Sequence, residues 1–464
     1  MRRVLFVSYL FPPVGGVGVH RVTKFVKYLP QFGWESTVLT VENPSVPLLD
    51  DSLLKDIPAG TAIRKARTWE PGYGLKKSVS GGQSTGRRSL LGHVAAGLKA
   101  AARQIGNTIL QPDAQILWRW NAIREGMRAL RETPHDAIIA TGPPFSSFLV
   151  GQALAKKSGL PLVLDYRDEW DISNAYWENK RQGDFSNWVQ QKMQRSVLRT
   201  ARAIVATTPA STEAVKTITR HSTYSPRAAC IYNGFDPEDF PPASAPAVKK
   251  DYGNGTHRFR LSFIGTLWNL NSIEPLVRAV QYLASSQKIL LEHLEIVLAG
   301  RRTPDQEAIV DRLSAFPCAV SRLPFVSHAE AVEMMRSSDA LLMLNADVPH
   351  AHRIINAKTF EYMAARRPVF VIAPPGDVWD ILCNLPGTVL CEPARFHATA
   401  EKLAIAIEQH RCGVHFDDAH WDISRFERKN LAGELADLLD DILEEDRSRV
   451  GRTSKRHPET TAAY

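Results

Sequence analysis

Cysteine is scarce in this chain, and what there is does not pair. Cys230, Cys318, Cys383, Cys391 and Cys412 form an odd, dispersed set. That argues against a disulfide framework or a zinc site and suits a reducing compartment. No apolar run approaches the roughly 20 residues of a membrane-spanning helix. The apolar stretch after Met1-Arg2-Arg3 breaks at Pro12-Pro13 and Gly15-Gly16 without a small-residue cleavage site, so it reads as a buried strand rather than a secretory signal. A P-loop, the dinucleotide fingerprint G-x-G-x-x-G, a zinc finger, an aromatic RNA-reading signature and a basic helical arm are all missing. Nucleic acid is therefore not an expected partner.

What is present is 464 residues, 44% hydrophobic and 23% charged, enough for two or three domains with full cores. The net charge of +8, with a pI near 9.2, suits anionic ligands such as nucleotide diphosphates or lipid phosphates.

Strand-like runs alternate with helical patterns, which predicts a parallel α/β architecture. Strands are expected at Arg3–Tyr9, Thr37–Val41, Asp136–Ala140, Leu162–Asp165, Ala203–Thr207 and Ala228–Tyr232. Helices are expected at Val19–Leu29, Leu90–Leu110 and Ile116–Arg131, with a mobile loop at Ser80–Arg88. Pro237–Asn254, rich in Pro, Ala and charge, reads as an interdomain linker. Beyond it the strands Arg258–Ile264, Leu294–Ala299, Val320–Leu323, Ala340–Leu344 and Val369–Ile372 alternate with further helices. The expected domains are thus 1–240 and 256–420, followed by an acidic helix over 421–445 that packs back toward the first domain and a disordered polar tail, 446–464. Two such halves are expected to face each other across a cleft between the carboxyl edges of their sheets, where open parallel sheets bind ligands.

Three segments could carry chemistry. In Phe11–His20 (FPPVGGVGVH), Gly15 and Gly16 permit close backbone approach to a ligand, and Arg21 lies just inside the following helix. The same loop can equally be a plain tight turn. Asp165, Arg167 and Asp168 follow a strand, where they could bind sugar hydroxyls or a phosphate, or close the loop as a structural Arg–Asp pair. In Asn356–Val369 (NAKTFEYMAARRPV), Lys358 and Glu361 lie three apart on one helical face. A carboxylate there can accept both ribose hydroxyls of a nucleotide, while the lysine and the helix amino end neutralise a diphosphate. An ordinary surface ion pair has the same spacing.

That last run resembles the donor-binding helix of GT-B glycosyltransferases, particularly glycosyltransferase family 4, with its E-A-M-A-x-G-x-P-V pattern. Glu361, Met363, Ala364, Pro368 and Val369 fall on it. Ile231–Asp236 (IYNGFD) with Phe240, the glycine-ended runs Phe263–Thr266 (FIGT) and Leu298–Gly300 (LAG), and the opening loop with Pro12-Pro13 and Gly15-Gly16 also fit, in order along nearly the whole chain. The resemblance implies GT-B architecture: two Rossmann-like parallel-sheet domains, the first acceptor-side and the second donor-binding. It implies a hexosyltransferase-like enzyme acting on a nucleotide-sugar donor, retaining and metal-independent, with no cofactor. The acceptor would be a glycan or polyprenyl-linked intermediate in cell-surface polysaccharide synthesis. The implied donor-site residues are Glu361, Lys358, Gly265, Thr266, Gly300, Arg301 and Arg353. Gly15, Gly16, Arg21, Asp165, Arg167 and Asp168 line the acceptor side.

The chain departs from the pattern in places. Arg353 stands where the family often has a glutamate eight residues before the ribose-binding one, and the Gly-Phe-Gly loop that commonly follows that glutamate is missing. Arg366 replaces the glycine that usually ends the helix. Thr266–Asn271 (TLWNLN) lacks the basic residues that many members place on the diphosphate, leaving that task to Lys358, Arg301 or Arg302. No histidine follows Asp136–Ala140. Two other readings share the resemblance: a nucleotide-sugar epimerase on the same scaffold, and a catalytically degenerate binding or assembly subunit. A cytoplasmic enzyme is expected, peripheral on the inner membrane face, with an anionic membrane surface as a further partner. Trp118, Arg119, Trp120, Arg124, Arg128 and Arg131 share one expected helix. The tryptophans are expected in the core and the arginines on a solvated face, with a membrane-contacting basic stripe as the alternative.

Overall fold

The expected strands are apolar along most of their length rather than alternating, as befits strands covered on both faces. In a computed structural model of the protein, Val4 to Val7 and the whole of Ala137–Gly142 and Leu294–Ala299 are buried. The structure describes all residues except 47–48, 73–109, 177–182, 221–224, 241–250, 252–256, 287, 415, 417–420 and 455–464. The expected loop Ser80–Arg88 and nearly all of helix Leu90–Leu110 lie outside the described residues, as does most of the expected linker.

The chain forms two units. The first holds Met1–Thr207, Ser211–Tyr232 and the chain from Arg428 onward. Its strands are β1 (Arg2–Val7), β2 (Trp34–Val41), β3 (Ala62–Ala66), β4 (Ala137–Gly142), β5 (Leu162–Tyr166), β6 (Ala203–Ala206) and β7 (Arg227–Cys230). They make one sheet in the order β3-β2-β1-β4-β5-β6-β7. The second unit, Thr208–Ala210 with Asn233–Glu427, contains β8 (Phe259–Ile264), β9 (Leu294–Ala299), β10 (Ala319–Leu323), β11 (Ala340–Leu344), β12 (Val369–Ile372) and β13 (Val389–Cys391), in the order β10-β9-β8-β11-β12-β13. All these pairings are parallel. Each order reverses once, between β1 and β4 and between β8 and β11, and such a reversal opens a crevice at the carboxyl ends of the strands. The expected α/β fold class is borne out.

Local chemistry fixes the crossovers. Helix Ser146–Ser158 is buried from Ser146 to Gly151, so it shows no amphipathic stripe and escapes periodicity analysis. Gly151 lets it lie close on β4: a Cβ there would sit 2.7 Å from the Ala140 methyl. Helix His328–Arg336 opens with a full capping box between Ser327 and Glu330, worth about 1 kcal/mol. Arg260 and Glu295, opposed in register on β8 and β9, form a buried ion pair at 2.7 Å.

The last helix runs Arg428–Ser454 rather than starting at Trp421. Trp421 to Glu427 remain in the second unit as irregular chain with one 3₁₀ turn, Ser424–Phe426. The tail expected from Asp446 is thus helical to Ser454, and the rest of it lies outside the described residues. Leu431, Leu435, Leu439 and Ile442 are buried as this helix packs on Val17–Tyr28. Such side chains contribute about 1.5–3 kcal/mol each. Its acidic face pairs with the first unit: Asp440 accepts from Arg2 and from the Trp34 indole (2.8 Å), Asp441 meets Arg227 (2.6 Å) and Asp446 meets Arg202 (2.8 Å). Among the described residues, no helix is long and apolar enough to cross a membrane.

Candidate functional site

In the second unit, two glycines meet at the carboxyl edge. Gly300 ends β9 at φ +123°, and a Cβ there would stand 2.1 Å from the Gly265 carbonyl oxygen beyond β8. Only glycine at position 300 permits that approach, which accounts for the glycine that ends the second run. The chain then folds back, with Leu267 N donating to Arg301 O (2.9 Å) and Thr266 left exposed.

Lys358 and Glu361 sit on helix Lys358–Ala364, which three hydrogen bonds hold at the β8/β11 reversal. Asn356 Nδ2 donates to Asn345 Oδ1 (2.8 Å) just past β11, and Asn345 Nδ2 donates to Ile354 O (3.0 Å). The Tyr362 hydroxyl accepts from Ile264 N (3.0 Å) at the end of β8. Burial raises the Tyr362 pKa, so it stays a neutral phenol. Lys358 Nζ pairs with Glu361 Oε2 at 2.5 Å, with 26% and 18% of the side chains exposed, so a ligand can reach both. An i,i+3 pair is worth only about 0.2–0.5 kcal/mol, so exchanging it for ligand bonds costs little. The helix has seven residues and no side-chain cap.

The arginines divide. Arg302 is bonded within the fold: Nε meets Glu307 (2.6 Å), and Nη1 donates to Gly300 O and Leu323 O (both 3.0 Å). It ties the ends of β9 and β10 together. Arg301, its neighbour, points outward and is exposed, with no side-chain partner among the described residues. Arg353 is half-buried in the loop after β11, where its carbonyl accepts from Thr208 Oγ1 (2.9 Å). That loop also carries His350 at φ +67°, a conformation costing about 1–2 kcal/mol, and His352, whose backbone packs on Gly376 so closely that a Cβ would meet its carbonyl at 2.3 Å. Sequence reasoning missed Tyr362, Asn345, Asn356 and Gly376; the P-P-G run after β12 was a usable signal for Gly376.

In the first unit, most of the charged residues expected on the acceptor side are buried and bonded within the fold. Arg21 and Asp165 form an ion pair with 3% of each side chain exposed; Asp165 also accepts from Thr141 Oγ1 (2.9 Å), and Arg21 Nη1 donates to Tyr232 O (2.7 Å). The structural Arg–Asp pair therefore forms with an arginine from the first helix rather than within the loop. Arg167, also buried, donates through its backbone to Gly142 O (2.9 Å) and through Nη1 to Gly18 O. Burial works against its charge, and Asp168 and Asp165 offset this. Gly18, unmarked in the sequence reading, leaves room for that guanidinium, since a Cβ would lie 3.1 Å from Nη1. Gly16 has φ +98° and open space around it, so its glycine serves the turn; Gly15 is half-buried beside it. Asp168 alone among the charged members is exposed. Trp118 is core, its ring 5.5 Å from Tyr9, while Trp120 is 73% exposed, so the expectation for the two tryptophans holds for one.

Residues 15–234 match the model of the glycosyl transferase 4-like domain. No curated protein matches the sequence. Among solved structures, the chain is similar to Anabaena HepE in complex with UDP-glucose, at 14% identity and TM-score 0.55, covering 97% of this chain and 100% of that one. Sucrose-phosphate synthase from Thermosynechococcus elongatus gives 14% and 0.54 over 98% and 100%. The α,α-trehalose 6-phosphate synthase from Burkholderia multivorans gives 12% and 0.59 over 97% and 99%. At these identities the likeness speaks to fold. Taken with the domain match over residues 15–234, it bears out the resemblance read from the sequence at the level of fold: the first unit resembles a glycosyl transferase 4-like domain, and the chain has the GT-B fold.

Proposed function

We propose that this protein is a retaining, metal-independent glycosyltransferase that binds a nucleotide-diphosphate sugar at the carboxyl edge of the second sheet. The observation that carries the reading is the partly exposed Lys358–Glu361 pair, held at the β8/β11 reversal by Tyr362 and Asn356. Glu361 accepts the ribose hydroxyls, and Lys358, Arg301 and Arg353 offset the diphosphate charge. The bond from the anomeric carbon to the diphosphate oxygen breaks as the acceptor hydroxyl attacks the same face, and the departing phosphate takes the acceptor's proton. The UDP-glucose bound to HepE supports a nucleotide-sugar donor here. Acceptor binding falls to the first unit, where Asp168 and the Gly15-Gly16 loop offer reachable groups. We read the acceptor as a glycan or polyprenyl-linked intermediate of polysaccharide assembly, used in the cytoplasm at the inner membrane face.

Mass spectrometry of the purified protein with a panel of nucleotide sugars tests this. Glu361→Ala should weaken nucleotide binding in calorimetry by about 1.5–3 kcal/mol, the worth of a charged hydrogen bond. Lys358→Ala should weaken the nucleoside diphosphate more than the nucleoside. Unchanged affinities in both variants would sink the assignment. Binding without turnover would identify a non-catalytic subunit, and interconversion of the free donor an epimerase.

A further inference from the structure

Helix Asp184–Leu198 carries an outer face that the fold does not use. Its inner face is fixed by buried polar bonds: Ser186 Oγ accepts from Gln111, and Gln190 meets Gln111 and Trp170. On the opposite side, Phe185 is 64% and Trp188 52% exposed, their rings stacked at 6.1 Å. Lys192 Nζ lies 3.9 Å over the Trp188 ring, and Arg195 and Arg199 are exposed further along. Phe185, Trp188, Lys192, Arg195 and Arg199 follow 3–4 residue spacing, so they form a single stripe, aromatic at one end and basic at the other. Arg199 and Lys156 together line a shallow recess at the basic end.

Two large aromatics left in water beside three cations match one kind of surface. Tryptophan prefers the boundary between apolar and wet surroundings, and arginine and lysine prefer anionic headgroups. Placement adds to this. The helix crosses from the carboxyl end of β5 to the amino end of β6, so its aromatic first turn lies at the ligand-binding edge of the sheet. By contrast, helix Arg119–Glu132 exposes a single large aromatic, Trp120, since Trp118 just before it is in the core, and its Arg128 is paired with Glu132 (2.8 Å), so it offers less.

We infer that the Phe185–Arg199 stripe docks on an anionic lipid bilayer, with Phe185 and Trp188 entering the interface and Lys192, Arg195 and Arg199 meeting lipid phosphates. The inference rests on the proposed lipid-linked acceptor for its purpose but not for its readout, because vesicle binding is measured without donor or acceptor.

The test is co-sedimentation of the full chain with phosphatidylcholine vesicles, with and without phosphatidylglycerol. Binding should require the anionic lipid and weaken with salt. Each basic residue neutralised should cost about fivefold, so Lys192→Gln, Arg195→Gln and Arg199→Gln together should cost on the order of a hundredfold. Phe185→Ser with Trp188→Ser should cost about tenfold or more even at low salt. Arg124→Glu with Arg128→Glu should leave binding at its wild-type level. All five stripe residues are exposed, so thermal unfolding should not move, and donor turnover in detergent-free buffer should persist. Equal binding to neutral and anionic vesicles, or wild-type binding by either stripe variant, would overturn the inference. So would a dimer in sedimentation velocity that the aromatic variant dissolves without any lipid binding, which would assign the face to a second copy of the chain.

Discussion

Asp165→Ala separates a structural acceptor-side residue from a ligand-binding one. In the folded chain Asp165 takes Arg21 Nε at 3.0 Å and Nη2 at 3.0 Å, and Thr141 Oγ1 at 2.9 Å, with 3% of each charged side chain in water. Truncation leaves the Arg21 cation buried, with the Tyr232 carbonyl (2.7 Å) and the Phe25 ring (4.8 Å) still against it. Removing one partner of such a pair costs about 3–5 kcal/mol. For a unit of this size, each kcal/mol moves the transition by roughly 2–4 °C, so a fall on the order of 6–20 °C is expected. Differential scanning calorimetry is suitable because the two units should melt as separable transitions, and only the first should move. The pairing itself is read from a cycle: Arg21→Met with Asp165→Ala should cost at least about 2 kcal/mol less than the sum of the single changes. If Asp165→Ala leaves the first transition within about 1 kcal/mol of wild type while abolishing sugar transfer, the pair belongs to the acceptor site and the structural assignment is wrong.

Gly300→Ala should lower the second unit's transition by about 2–4 kcal/mol, from a disfavoured φ plus a methyl forced against the Gly265 carbonyl, and calorimetry reads it directly. Arg366, at φ +52°, closes helix Lys358–Ala364 in a left-handed conformation, so Arg366→Gly should stabilise that unit by about 1 kcal/mol in denaturant titration. His135 is buried with Nδ1 on Thr133 O (2.7 Å) and Nε2 on Thr37 Oγ1 (2.9 Å), and burial lowers its pKa. The unfolded chain then binds the proton first, so this contribution is full above about pH 6.5 and is lost as pH falls below it; His135→Gln should flatten that part of the pH–stability curve.

Most of the sheet was legible because buried parallel strands announce themselves as continuous apolar runs. Leu294–Ala299, Ala340–Leu344 and Val369–Ile372 stand where the sequence put them. The strand Ala62–Ala66 was missed because, at the sheet's edge, only Ala66 is buried, and Val389–Cys391 because three residues carry too little pattern. Helix Asp184–Leu198 was missed for a different reason: its inner face is polar, built on Ser186, Gln190 and Gln194, and its aromatics face outward, inverting the usual stripe. At the site, the Lys358–Glu361 spacing was readable because both lie on one short element. The Arg21–Asp165 pair was not, because its partners are 144 positions apart. Nor could sequence separate Arg301 from Arg302, adjacent residues just past a strand end, of which the first is exposed and the second is bonded to Glu307, Gly300 and Leu323.

The chain leaves the first unit at Tyr232 and returns to it only at Arg428. A ribosome therefore delivers all seven strands of one sheet and then the entire second unit before it supplies the helix that closes the first. Throughout that interval the outer face of Val17–Tyr28, the Phe32 ring that lies against Gly433 and the Trp34 indole that bonds Asp440 have no cover. The earliest-made half of the protein is thus the last to finish folding, and its exposed apolar surface is what a nascent chain presents to chaperones during synthesis. A message truncated just before Arg428 would yield a second unit with its full sequence joined to a first unit that lacks one wall.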